Sequence, residues 1–269
     1  MIVLYVNIML KKLNKDKIVT LSLLLVFLIT ILVLFIVNNE TIISAIKTNF
    51  IDDDNYIELL KGLLNTFLIT IVAFVIGIAL GLAICLIEGI NSNNVFVLIL
   101  KKFTKIYVAI FRGTPIAVQL LIIYFVMAVS YRGDAIYIAM LAFGLNSAAY
   151  VSEIIRGGIN AVPKGQMEAG RSLGLPYSAV MKKIIFPQAI RNALPSLGNE
   201  FIALIKETSV AGFIGAIDLT LAFRKIAGGT YDHLTVYLMM GVVYFIIVFI
   251  ITLILNKLER KYINNAYTK

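Results

Sequence analysis

Six stretches of this chain are apolar enough to be read as membrane spans. Residues 18–37 are interrupted only by Thr20, Ser22 and Thr30; further runs cover 62–87, about 106–128, 135–156 and 234–256, and a charge-bearing one covers 188–212. A helix needs about 20 predominantly apolar residues to cross the hydrocarbon core. Residues 95–111 resemble another span, but Lys101, Lys102 and Lys105 fall within them. Each lysine costs about 3 kcal/mol near the bilayer centre, so 95–105 reads as an interfacial lead-in to the single crossing at 106–128.

Charge between the runs orients them. Lys11, Lys12, Lys15 and Lys17 precede the first run, and Lys101, Lys102 and Lys105 follow the second. Lys164, Arg171, Lys182, Lys183 and Arg191 follow the fourth, and Lys257, Arg260, Lys261 and Lys269 follow the last. The intervening 38–61 loop instead carries Glu40, Asp52, Asp53, Asp54 and Glu58. Basic segments alternate, which places both termini and the 157–187 loop in the cytoplasm. The first run reads as an uncleaved anchor rather than a signal, because it is long and no A-x-A site follows it. Met9 is an alternative start to Met1.

Composition agrees and excludes other classes. The 269 residues are 60% hydrophobic and 14% charged, with a mean hydropathy of +0.94; soluble domains carry about a quarter charged residues. One cysteine, Cys85, and one histidine, His233, leave no thiolate cage or zinc site to expect. The net charge of +9 gathers beside apolar runs, not in an aromatic-interleaved stripe that would suit nucleic acid. No G-x-x-x-x-G-K-[ST] phosphate loop is present, so the chain reads as no enzyme and as holding no cofactor or metal of its own.

Polar residues at membrane depth are functional candidates, since lipid exposure is costly. Asn146, Tyr150 and Glu153 share one helical face by their i, i+4, i+7 spacing, with Ser147 beside it. Glu153 could hold an ammonium group, or could simply pair with Arg156. Glu200 and Glu207, also seven apart, are pathway candidates beside Lys206, or members of a structural ion-pair network. Gly113 and Pro115 should kink or break the third span, since proline has no N–H for the ladder. Gly77 and Gly81 form a GxxxG that permits close helix contact.

The loop from Pro163 to Pro195 reads PKGQMEAGRSLGLPYSAVMKKIIFPQAIRNALP. A helix over 168–173 should end at Gly174 in a left-handed cap. Pro176 suits the first turn of a second helix over 177–186, and Pro187 should break the chain before it re-enters the membrane.

This loop resembles one carried by the permease subunits of ABC importers: EAA, three residues, G, nine residues, I, one residue, LP. Here Glu168-Ala169-Gly170, Gly174, Ile184 and Phe186-Pro187 stand at that spacing, with Gly170 for the second alanine and Phe186 for leucine. Phe111-Arg112-Gly113-Thr114-Pro115, Ser152-Glu153-Ile154-Ile155-Arg156-Gly157-Gly158 and Leu194-Pro195-Ser196-Leu197-Gly198-Asn199-Glu200 resemble the polar amino acid uptake branch.

Hydropathy gives an all-α integral membrane protein of six transmembrane helices, of which the resemblance, over about residues 58–262, implies a five-helix permease core, the N-terminal helix being extra to it. Residues 1–57 form a cytoplasmic stub, an anchor helix and an acidic outer loop; 58–262 form a five-helix permease core with the coupling loop at about 163–187; 263–269 form a tail. The resemblance implies a bacterial cell membrane permease carrying a polar amino acid, partnered by a second permease chain (the same or a related one) and an extracellular or periplasmic substrate-binding protein. Two ATP-binding subunits would hold the ATP and magnesium. Gly165, Glu168, Ala169, Gly170, Arg171 and Gly174 would couple to those ATPases, the glycines and Ala169 allowing close backbone approach. The alternative is a secondary transporter driven by an ion gradient, which would usually need more spans and an internal repeat.

Overall fold

The computed structural model describes residues 39–52 and 54–264. The first expected span, 18–37, lies outside them. The described residues form two units, divided after Asp54. In the first, α1 (Asn39–Ile46) runs into a π turn at Lys47–Asp52.

The second unit is helical throughout its regular structure. It comprises α2 (Asn55–Gly89), α3 (Val95–Gly113), α4 (Ile116–Ile122, prolonged by a π turn to Met127), α5 (Ala135–Asn160) and α6 (Lys164–Ser172). There follow α7 (Tyr177–Val180) with a π turn at Met181–Ile185, α8 (Phe186–Glu207) with a 3₁₀ segment to Ile214, α9 (Leu219–Thr230) and α10 (His233–Asn264).

α5 is the central post. Ala139, Ala142, Phe143, Ala148, Ala149 and Val151 on it are fully buried. α2 runs parallel to it at close range. A Cβ on Gly77 would stand 2.7 Å from Ser147 Oγ, and one on Gly81 would stand 2.8 Å from Val151 Cγ1. From the other side, Gly144 leaves room for Ile76. In lipid, where apolar burial drives association little, such small-residue seams let backbones approach and gain dispersion contacts. The GxxxG is therefore a packing seam.

α10 is the opposite case. Beyond Thr235 and Val236, which are buried at its start, Phe245, Phe249 and Leu253 stand open, as suits side chains whose solvent is hydrocarbon.

Three described helices are individually long and apolar enough to cross a membrane, or four if α3 and α4 count as one bent span. α8 carries the expected fifth span, but Arg191, Asn192, Asn199, Glu200 and Lys206 keep it polar. The third span departs from expectation in shape. α3 and α4 meet at 113°, so residues 106–113 turn away from the crossing that 116–127 continue.

The loop between α8 and α10 is fastened to α2. Asp218, fully buried, accepts from the N–H groups of Thr220 and Leu221 at 3.0 Å each and caps α9. Burial pushes its carboxyl above the ordinary aspartate range, and these amides pull it back. Leu219 N–H donates to Thr66 Oγ1 at 3.0 Å, Asn65 Nδ2 to Ile217 O at 2.8 Å, and Lys225 Nζ pairs with Glu58 at 2.8 Å.

Candidate functional site

Two neighbourhoods hold the expected functional residues: a helical hairpin at one end of α5, and the break between α3 and α4.

The hairpin follows from its turn residues. α6 begins after Pro163 and ends at Leu173. Gly174 has φ +80°, its N–H donates to Arg171 O at 3.0 Å, and Leu175 N–H donates to Gly170 O at 3.2 Å. That pair of bonds is a Schellman cap, and the left-handed residue in it favours glycine. Gly165, Glu168, Ala169 and Arg171 are exposed along α6. Arg171 Nη1 reaches back to Leu175 O at 3.3 Å, and Ser172 Oγ donates to Glu168 O at 2.9 Å.

Gly170 behaves differently from the rest of its group. It is buried, and a Cβ there would stand 2.8 and 2.9 Å from the two Val180 methyls. Its close backbone approach is thus to α7 of its own chain. The resembled pattern has alanine here, and Val180 fills the space that the alanine methyl would need. Gly170→Ala should cost about 1–3 kcal/mol by overpacking, and Val180→Ala in the same chain should recover most of that. Thermal melting of the purified protein checks the pair; equal loss in single and double variants would refute the packing account.

Pro187 does not break the chain. The π turn at Met181–Ile185 links α7 to α8 without interruption, with Phe186 N–H donating to Met181 O. Pro187 then falls in the first turn of α8, directly after the π turn, a position that tolerates proline. Gln188 Nε2 donates to Ile184 O at 2.8 Å across the joint.

At the α3–α4 break the expectation for Gly113 and Pro115 holds in strong form. Pro115 offers no N–H to Phe111 O, four residues earlier. Gln119 Nε2 donates to that carbonyl at 2.8 Å, to Thr114 O at 2.9 Å and to Thr114 Oγ1 at 2.8 Å. Asn146 Nδ2 donates to Phe111 O at 3.2 Å and to Gln119 Oε1 at 2.9 Å. Two buried amide side chains therefore replace the backbone bonds that the proline removes. Asn146 spends its donors on the break.

The face shared by Asn146, Tyr150 and Glu153 is directed at the end of α3. The Arg112 guanidinium sits 5.5 Å from the Tyr150 ring centroid and 3.3 Å from Glu153 Oε2, and Arg156 bonds the same carboxylate oxygen. Glu153 thus holds two guanidinium groups. Arg112 and Glu153 border two cavities. One, of about 490 Å³, is also lined by Tyr150, Gly158, Asn192 and Ser196. The other, of about 330 Å³, adds Glu88, Lys105 and Arg156.

Ser147 and Glu200 form a separate pair, with Ser147 Oγ donating to Glu200 Oε1 at 2.8 Å beside Gly77. The Glu207 carboxylate, at the end of α8, makes no side-chain hydrogen bond or salt bridge among the described residues, but lies within electrostatic reach of Lys206 and Glu200. The sequence alone assigns no role to Arg112 or Gln119. The available signal was a glutamine four residues after a proline in an apolar run.

Small-residue seams, a broken span with internal charges and an exposed hairpin together define a multi-pass helical transport protein. The comparisons with known proteins agree. A family model described as "Binding-protein-dependent transport system inner membrane component" matches residues 87–264. The arginine transport system permease protein ArtQ of Bacillus subtilis is 39% identical over 209 residues, covering 77% of this chain and 93% of that protein. The L-cystine transport system permease protein TcyB of Bacillus subtilis is 35% identical over 223 residues, covering 82% and 93%. A crystal structure of an amino acid ABC transporter with histidines superposes with a TM-score of 0.70 at 38% identity, over 76% of this chain and 94% of that one. The chain belongs to the family of binding-protein-dependent transport system inner membrane components. It is an ABC importer permease, and the ion-gradient alternative is set aside.

Proposed function

We propose that this permease carries a polar amino acid inward across the bacterial cell membrane. It does so as one of two permease chains, with both termini in the cytoplasm. Two ATP-binding subunits supply ATP and magnesium, and an extracellular or periplasmic protein delivers the substrate. The exposed face of α6 carries the coupling: Gly165, Glu168, Ala169 and Arg171 seat in the ATPase surface, while Gly170 and Gly174 fix the hairpin's shape. The observation that supports this most is that α6 is exposed along one side and anchored along the other, so a push on it passes through Val180 into the continuous α7–α8 rod.

The pathway runs past the larger cavity. Arg112 and Glu153, 3.3 Å apart on its wall, match the carboxylate and ammonium of an α-amino acid. Tyr150, Ser147 and Glu200 stand near it on α5 and α8, with Glu207 further along. The polar α8 positions Ser196 and Asn199 are exposed and belong against water or a second permease chain, because lipid would leave them without partners.

The test is ATP hydrolysis by the reconstituted importer with a panel of amino acids and the binding protein, for wild type and Glu168→Lys. One amino acid should stimulate wild-type hydrolysis. The variant should lose that stimulation at least tenfold while keeping its stability within about 0.5 kcal/mol, as exposed substitutions do. Undiminished stimulation in the variant would overturn the coupling role. Stimulation by no amino acid would overturn the substrate class.

A further inference from the structure

We infer that α3 is a membrane-surface helix whose Lys101, Lys102 and Lys105 bind the headgroup phosphates of anionic phospholipids in the cytoplasmic leaflet. α3 has three distinct faces. Thr104 and Val108 are buried against the rest of the unit, and Tyr107 bonds Leu145 O on α5. Phe96, Ile99, Phe103, Ile106 and Ile110 follow at spacings of three and four, and each is at least half exposed, Phe96 at 72%. Each residue turns the helix by about 100°, so these five fill one quarter of its circumference. Lys101, Lys105 and Arg112 fall on the opposite flank, with Lys102 between. No acidic residue occurs in α3.

A helix buried on one side, apolar on the second and basic on the third suits the boundary between headgroups and acyl chains. Its end is anchored where such a helix should be. Arg112 meets Glu153, seven residues before the end of α5, and α6 begins four residues beyond that end. α3 therefore shares the hairpin's side of the molecule. The 113° bend at Pro115 frees it from continuing the crossing. The salt bridges among the described residues include none of Lys101, Lys102 or Lys105; Lys105 borders the smaller cavity with Glu88 and Glu153, while the charge of Lys101 and Lys102 is left to complement an anionic surface. A second protein chain would cover the apolar stripe but leave these lysines unexplained.

The whole importer, purified in phosphatidylcholine micelles with increasing phosphatidylglycerol, is assayed for retained lipid by native mass spectrometry. Wild type should retain phosphatidylglycerol in preference to phosphatidylcholine. Lys101→Gln/Lys102→Gln/Lys105→Gln should weaken that retention roughly 10- to 100-fold, from the usual worth of a lysine at an anionic surface. The matching triple arginine variant should retain it. Equal retention by wild type and the glutamine variant would overturn the site.

A second measurement does not depend on that variant folding. In a Cys85→Ser background, a fluorophore on Phe103→Cys should be quenched by an acyl-chain quencher, and one on Lys102→Cys by an aqueous quencher. Cross-linking of position 103 to another protein chain, or aqueous quenching there, would refute the membrane-surface placement. Neither readout uses transported substrate, so failure here is distinct from failure of the amino acid assignment.

Discussion

Gln119→Leu should destabilise the permease by about 2–4 kcal/mol without changing side-chain bulk much. The substitution removes the donor that Thr114 O and Thr114 Oγ1 share with Phe111 O, and the acceptor that Asn146 uses. Gln119 and Asn146 are both buried, so a buried group left alone carries its own desolvation cost. Phe111 O keeps Asn146, at 3.2 Å, which limits the loss. The measurement is the melting temperature of the detergent-purified protein, combined in a cycle with Asn146→Leu. Because the two amides contact each other, their effects should fall short of additivity by about 1 kcal/mol. A loss below about 0.5 kcal/mol for Gln119→Leu would show that the α3–α4 bend does not rest on this network.

The same network marks how far the sequence could be read. The spans on α2, α5 and α10 were legible because hydropathy is a local property, and Pro115 announced a break because its missing N–H is a local fact. The angle of that break was not legible. It depends on which groups satisfy the freed carbonyls, and Asn146 lies 35 residues from Phe111. The spacing of Asn146, Tyr150 and Glu153 correctly put them on one face, but periodicity says nothing of what a face meets. Arg112 could be identified as Glu153's second partner only once the bend had brought α3 back onto α5. Pro187 misled for the converse reason: a π turn just upstream absorbed it, and π turns have no reliable residue signature. Gly170 read as part of a docking surface because it stands next to Glu168 and Ala169, which are exposed. Only its contact with Val180, ten positions on, turns it inward.

Two adjacent glycines give the sharpest test of how the hairpin is joined to the spans. A Cβ on Gly158 would stand 2.5 Å from Ala189 O and 3.0 Å from Ala193 Cβ, while one on Gly157 meets nothing within 4 Å. Gly158 is where α5 passes under α8, and Asn192 Nδ2 donates to Gly158 O at 3.3 Å. The obstruction is a backbone carbonyl, which cannot rotate aside as a flexible side chain can, so Gly158→Val must separate the helices. The expected cost is 3 kcal/mol or more, from strain and lost packing together. Because Val162, Val180, Ile185 and Ala189 form one cluster immediately beyond, separation there also detaches α6 from the spans. ATP hydrolysis by the assembled importer should then lose its response to substrate even where folded protein is recovered. Gly157→Val, on the exposed side, should melt within about 1 kcal/mol of wild type, since valine is the better helix residue of the two. Both variants are read by melting, and Gly158→Val alone by substrate-stimulated hydrolysis, since Gly157 lines the larger cavity and a Cβ there meets open space. Equal melting of the two would mean that the α5–α8 crossing is looser than its geometry states, and an undiminished substrate response in Gly158→Val would mean that force reaches the pathway from α6 by another route.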